Sequence, residues 1–158
     1  MSLPIETTII KPRSWFFLLM LGCLGIVFHF ASKSDDFEES KLFILIPGFV
    51  ILLLWLLFQK VSITVDNDGL TYTTLFSTQS FLWKDVTSTW LKFSNHGKSG
   101  QTFWYFEKFD KTQNMDISFY PRKSLRIIAE TVVTKCRKAS IDPKITAMAE
   151  GKFPWYIF

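Results

Sequence analysis

The stretch VSITVDNDGLTYTTLF, residues 61–76, decides how this chain is read. Val61, Ile63 and Val65 point one way and Ser62 and Thr64 the other, the period-two signature of a half-buried strand. Asp66-Asn67-Asp68-Gly69 then makes a tight turn, after which Leu70, Tyr72, Thr74 and Phe76 alternate with Thr71, Thr73 and Leu75. The pattern predicts a β-hairpin. An Asp-rich turn also raises a calcium loop, but the twelfth position counted from Asp66 is Ser77, where such a loop needs a bidentate Glu.

Upstream of this stretch the pattern is entirely different. Two runs, Trp15 to Ala31 and Leu42 to Phe58, contain no charged side chain and no one-sided polar stripe. About 17 residues at 1.5 Å each reach roughly 26 Å, close to the ~30 Å hydrocarbon thickness once flanking residues are added. These runs are expected to form a transmembrane hairpin, with helices over about 14–32 and 41–59, despite Pro47 and Gly48. The connector Ser32 to Lys41 is polar and short, so the helices are antiparallel neighbours with both chain ends on one side. Lys11, Arg13 and Lys60 against Lys33 and Lys41, together with the basic C-terminal region, point to a multi-pass membrane protein with both termini cytoplasmic. Trp15 and Trp55 fall near run ends on that side, and Gly22 and Gly25 lack the spacing of a small-x-x-x-small dimer motif. Met1 to Arg13 resembles a signal-peptide n-region, but the apolar run is long and His29 and Phe30 sit where a cleavage site needs small residues.

Downstream, Ser80 to Lys84, Val86 to Phe93, Gln101 to Phe109 and Met115 to Tyr120 are rich in aromatic and β-branched residues and separated by turn-forming segments, predicting an antiparallel meander. After Pro121 the period changes. Leu125, Ile128, Ala129, Val132 and Cys136 share one helical face, with Arg126, Glu130, Lys135, Arg137 and Lys138 off it. This amphipathic helix is expected to close the domain. Ile141 to Phe158 then carries a short helix around Lys144 to Glu150 and an aromatic end, Phe153-Pro154-Trp155-Tyr156-Ile157-Phe158, which is rarely left in water. The expected domains are 1–60, 61–140 and a tail, 141–158.

The chain has 158 residues and a formal net charge of +4, and from Lys60 onward it carries 14 basic against 9 acidic side chains. Roughly 100 residues remain for a folded domain, the size of one ordinary unit. Cys23 lies in the first apolar run and Cys136 near the end of the closing helix, so a disulfide between them is not expected.

Two apolar helices, a β meander with Asp-Gly in its first hairpin, the element Phe81-Leu82-Trp83-Lys84-Asp85-Val86 and a terminal amphipathic helix together resemble the bacterial membrane-anchored proteins with a PH-like domain. The likeness covers about Val61 to Lys138 plus the helical hairpin. It implies a PH-like antiparallel β barrel capped by a C-terminal helix, hence an α+β membrane protein, located in the inner membrane, and a scaffold for lipids, peptides or proteins. One departure bears on lipids. Phosphoinositide-binding PH domains place basic residues around the first hairpin loop, whereas Asp66 and Asp68 here would repel phosphates.

No H-E-x-x-H, C-x-x-C, G-x-G-x-x-G or P-loop occurs, and neither His29 nor His96 has a local nucleophile partner, so no catalytic residue, cofactor or metal is expected. Among Phe103, Trp104, Tyr105 and Phe106, alternation sends one pair to the core and one outward. The outward pair needs a cover: the aromatic tail, a protein partner or the membrane surface. Arg122, Lys123 and Arg126, with Lys135, Arg137 and Lys138, suit anionic lipid or an acidic partner. The expected contact residues are Arg122, Lys123, Arg126, Trp104 and Phe106. The leading expectation is a membrane-anchored, non-enzymatic protein-binding module in contact with the bilayer and a protein partner, not nucleic acid, receiving a peptide beside a sheet edge and the closing helix. The alternatives are an immunity protein against a secreted toxin and an accessory subunit of a membrane complex. Gln59 and Lys60 leave at most about 7 Å of extended chain between hairpin and first strand, which would fix how the domain is presented.

Overall fold

The computed structural model describes residues 7–33, 37–96, 99–109 and 111–157. The chain divides into two compact units, Arg13–Val61 and a β-rich unit made of Met1–Pro12 with Ser62–Phe158. The predicted hairpin forms from β2 (Ser62–Val65) and β3 (Gly69–Thr73), with Ile63 opposite Tyr72 and Val65 opposite Leu70. Its turn is held by Asp66, whose Oδ1 accepts from the amides of Asp68 at 2.9 Å and Gly69 at 2.7 Å. Gly69 is required there by close approach, since a Cβ would lie 2.1 Å from the Phe81 carbonyl oxygen of β4 (Thr78–Leu82).

The hairpin's other neighbour was not foreseen. Thr8–Ile10 forms a strand, β1, antiparallel to β2 with Ile10 opposite Ile63. The N-terminal segment is therefore part of the β unit, and the helical unit is an insertion in sequence between two paired strands. The first sheet runs β1-β2-β3-β4. After β4, Trp83–Asp85 makes a single 3-10 turn. The Trp83 amide donates to the Asp68 carbonyl at 2.9 Å and its indole Nε1 to the Asp66 carbonyl at 3.0 Å, so the Trp-Lys-Asp element clamps the Asp-Gly turn.

The second sheet holds β5 (Ser88–His96), β6 (Ser99–Lys108) and β7 (Lys111–Asp116), joined on the far side of β5 by a parallel two-residue strand, β8 (Ser140–Ile141), in the order β7-β6-β5-β8. Phe109, with φ of 43°, turns the chain from β6 into β7. No strand of one sheet pairs with a strand of the other among the described residues, so the expected closed barrel is corrected to two open sheets. The chain passes from the first sheet to the second at the 3-10 turn, which interrupts the strand pattern between β4 and β5.

Between the sheets lies the core, which includes Ile63, Val65, Leu70, Phe81, Trp104, Phe106 and Met115. Helix α3 (Arg122–Lys135) supplies Leu125, Ile128, Ala129 and Val132, all at 0% exposure, on the face its spacing defines. Burying a Leu, Ile or Val side chain fully contributes roughly 1.5–3 kcal/mol. A short helix, α4 (Pro143–Ala149), begins at Asp142, whose Oδ1 accepts from the Lys144 amide at 2.9 Å while Pro143 occupies the first turn. Gly151, with φ of 85°, ends it. The residues after 140 are thus built into the β unit rather than forming a separate tail.

The helical unit consists of α1 (Trp15–Ala31) and α2 (Phe37–Phe58). Phe17 near the start of α1 meets Phe58 at the end of α2, ring centroids 5.2 Å apart, so the two run antiparallel. The transmembrane assignment is overturned: no helix of the described residues is long and apolar enough to cross a membrane. At 1.5 Å per residue the 17 residues of α1 reach only about 26 Å against ~30 Å of hydrocarbon. The 22 residues of α2 include Glu38, Glu39 and Lys41 at its start and Pro47 within it, so its uncharged part is no longer than α1. Helix α2 begins at Phe37, within the segment Ser32 to Lys41 that the residue pattern assigns to the polar connector. With the hairpin go the α+β membrane-protein class, the multi-pass inner-membrane location and the cytoplasmic placement of both termini.

Candidate functional site

Alternation along β6 settles which aromatics face out. Trp104 and Phe106 are buried at 0% and 1% exposure, their rings stacked 5.7 Å apart, and the Trp104 indole donates to Thr89 Oγ1 at 2.8 Å. As surface contact residues these two are corrected: they are core. Phe103 and Tyr105 take the outer face instead. There Tyr105 stands opposite Trp90 of β5, and the rings stack in parallel, centroids 5.4 Å apart and planes 3° apart. Phe103 lies 6.4 Å from Tyr105 and opposite Lys92. On the other side, Asn114 and Asp116 of β7 stand opposite Tyr105 and Phe103. Trp90 was missed, although it occurs in a strand-like run that could have been aligned with Tyr105 once the pairing was known.

The described residues of the aromatic tail do not cover this trio. Trp155 and Tyr156 pack instead against Phe93, at 5.8 and 4.9 Å, and Ile157 is buried. A small hollow of about 140 Å³ lies among Phe93, Thr102, Ser118 and Tyr156. Phe93 shares a strand face with buried Leu91, so the tail seals an end of the core.

The three basic residues expected at the start of α3 have separate fates. Arg122 donates from Nε at 3.0 Å and Nη2 at 2.7 Å to the Ile157 carbonyl and lies over the Phe153 ring at 5.6 Å, so it ties down the tail. Arg126 pairs with Glu130 one turn on, at 2.8 Å. Lys123 is exposed on the helix surface.

The β5 edge of the second sheet is taken by the chain's own segment after α3. Ser140 and Ile141 pair with Ser88 and Thr89, the Asp142 amide donates to the Thr89 carbonyl at 3.0 Å, and the Asp142 carboxylate accepts from the Leu91 amide at 3.3 Å. At the opposite end of this sheet the edge strand is β7, next to the aromatic trio.

The buried titratable groups are held neutral. Desolvation, with Tyr72 and Asp116 adding to it, pushes the Tyr120 phenol well above its ordinary range, and burial pushes the Cys136 thiol up to about 11. Neither supplies a base or nucleophile near neutrality. Among the described residues no group of three His, Cys, Asp or Glu side chains is placed to hold a metal. His29 is exposed on α1, and the side chain of His96 lies outside the described residues. In comparison with known proteins, the chain matches no family model, no curated protein and no solved structure.

Proposed function

We propose that the chain is a non-enzymatic protein-binding module whose contact surface is the outer face of the second sheet at β6 and β7. The observation that carries this reading is the outward trio Trp90, Tyr105 and Phe103 beside the edge strand β7. Rigid aromatic side chains contribute large contact area at low entropic cost and are enriched where partners bind. A peptide strand added to β7 would gain main-chain hydrogen bonds there and reach the aromatics across Asn114. The resemblance to PH-like scaffolds, drawn from the order of hairpin, meander and closing helix, agrees with a binding role, though fold analogy does not select the partner.

Quantitative affinity capture with the full chain tests this against Tyr105→Ser and Trp90→Ser. Loss of the same protein in both variants, with retention in Lys123→Ser, supports the reading. Capture unchanged by either aromatic substitution overturns it.

A second reading rests on its own observation. In the helical unit Leu18, Ile26, Leu45, Ile46 and Phe49 are each more than half exposed, and so many large exposed apolar side chains on one helix pair suit a contact made with another subunit. The chain would then be an accessory subunit of a larger complex, and replacing α1 and α2 with an unrelated helix pair would abolish assembly while leaving capture through Tyr105 intact.

A further inference from the structure

We infer that the C-terminal end of α3 and the 3-10 turn at Trp83 form a cationic cleft that takes an acidic peptide segment carrying apolar residues between its carboxylates. Two adjoining hollows, about 510 and 260 Å³, share Trp83, Lys84 and Lys135. The smaller extends along Arg137 and Lys138. Cations therefore converge from two elements: Lys84 from the 3-10 turn, the other three from the end of α3 and the residues just beyond it. A solvated helix face places its charges on one element only. Complementing the helix dipole also falls short as an explanation, because that end carries only about half a negative charge.

Two of the neighbouring carboxylates are engaged elsewhere. Asp85, next to Lys84, is paired with Lys108 at 2.7 Å. Asp66 is turned into its own hairpin, accepting from the amides of Asp68 and Gly69. Among the described residues no carboxylate lies in salt-bridge contact with Lys84, Lys135, Arg137 or Lys138. Arg137 uses its Nε on the Thr134 carbonyl at 3.3 Å, which leaves its terminal nitrogens for a ligand.

Two features select a peptide over a phosphate polymer. Asp68 also lines the larger hollow, where a continuous phosphate backbone would meet it in repulsion and a peptide can set an amide or a basic side chain. Apolar residues share the lining with the cations: Leu82, 39% exposed, in the larger hollow, and Val86 and Cys136, both buried, in the smaller. An acidic segment interleaved with Leu or Phe satisfies both. The Cys136 thiol lining this cleft remains protonated near neutrality, so the interaction is noncovalent. This cleft lies apart from the aromatic trio, and its inference goes beyond the reading proposed for that surface.

Fluorescence anisotropy with the full chain and a labelled peptide of alternating Glu and Leu tests the cleft. Lys84→Glu combined with Lys138→Glu should weaken binding about tenfold or more, and added salt should weaken the wild type. Lys84→Gln with Lys138→Gln should show a smaller loss in the same direction, guarding against a folding defect in the reversed pair. Arg126→Glu, away from the cleft, and Tyr105→Ser, on the other surface, should each leave binding within about twofold. Equal loss from Arg126→Glu, or binding of tripolyphosphate or a single-stranded oligonucleotide in place of the Glu-Leu peptide, overturns the inference. Failure of Tyr105-dependent capture with retained Glu-Leu binding would remove the proposed sheet surface and leave the cleft standing.

Discussion

Helices α1 and α3 lie in different units and treat apolar residues in opposite ways. In α3 Leu125, Ile128, Ala129 and Val132 recur at helical spacing and are all at 0% exposure, with charges on the remaining faces. In α1 apolar side chains surround the axis, and Leu18, Leu19, Ile26 and Val27 are 52–60% exposed. A single antiparallel neighbour covers one stripe of a helix and no more. The periodic helix is therefore finished within its own unit, while the uniformly apolar pair presents surface that its own unit does not bury.

Breaking the buried side of this comparison gives the largest expected effect. Trp104→Ala should destabilise the β unit by about 3–5 kcal/mol in a urea titration followed by circular dichroism, since it opens a large cavity and leaves Thr89 Oγ1 without its indole donor. A loss below about 1 kcal/mol would mean that the core around Trp104 is not packed as described.

Thiol chemistry separates the two units next. Cys23 is exposed in the helical unit and Cys136 is buried in the β unit. With its pKa raised to about 11, Cys136 holds on the order of a hundredfold less thiolate near neutrality than an ordinary thiol, and burial slows it further. Iodoacetamide at pH 8 should label Cys23 first and Cys136 only after unfolding, as peptide mapping would read. The sign for stability follows from tighter proton binding in the folded state. That contribution is complete below the unfolded value near ~8.5 and declines as pH rises toward about 11.

A smaller effect tests how the tail joins the core. Arg122→Ala removes two hydrogen bonds to the Ile157 carbonyl and the contact over Phe153, and should cost about 1–2 kcal/mol. Hydrogen exchange should quicken at residues 153–157 before the rest of the β unit responds. The smallest change is expected on the exposed side. Phe49, 68% exposed, should tolerate Phe49→Ser within about 0.5 kcal/mol of the β-unit transition. A loss comparable to that of Trp104→Ala would show that something covers Phe49 in solution and would sharpen the accessory-subunit reading.

The candidate sites were legible only in part. Parity along Phe103 to Phe106 required one pair inside and one outside, but parity cannot choose between them. That choice came from pairing with β5, which puts Trp90 beside Tyr105 and Thr89 beneath Trp104. The basic residues of α3 were visible as a set, yet their composition did not show that Arg122 would be taken up by the tail or that Lys84 would line the same hollow as Lys135.

By itself the sequence determined the local elements: the Asp66–Gly69 turn, the alternating strands around it and the buried stripe of α3. These depend on neighbours at most a few residues away, so residue period and turn chemistry suffice. Tertiary structure alone decided that Thr8–Ile10 pairs with β2 across the whole helical unit, that the sheets stay open, and that Ser140–Ile141 fills the edge of β5. Strands of three and two residues carry too little pattern to be seen, and their stability comes from partners far along the chain.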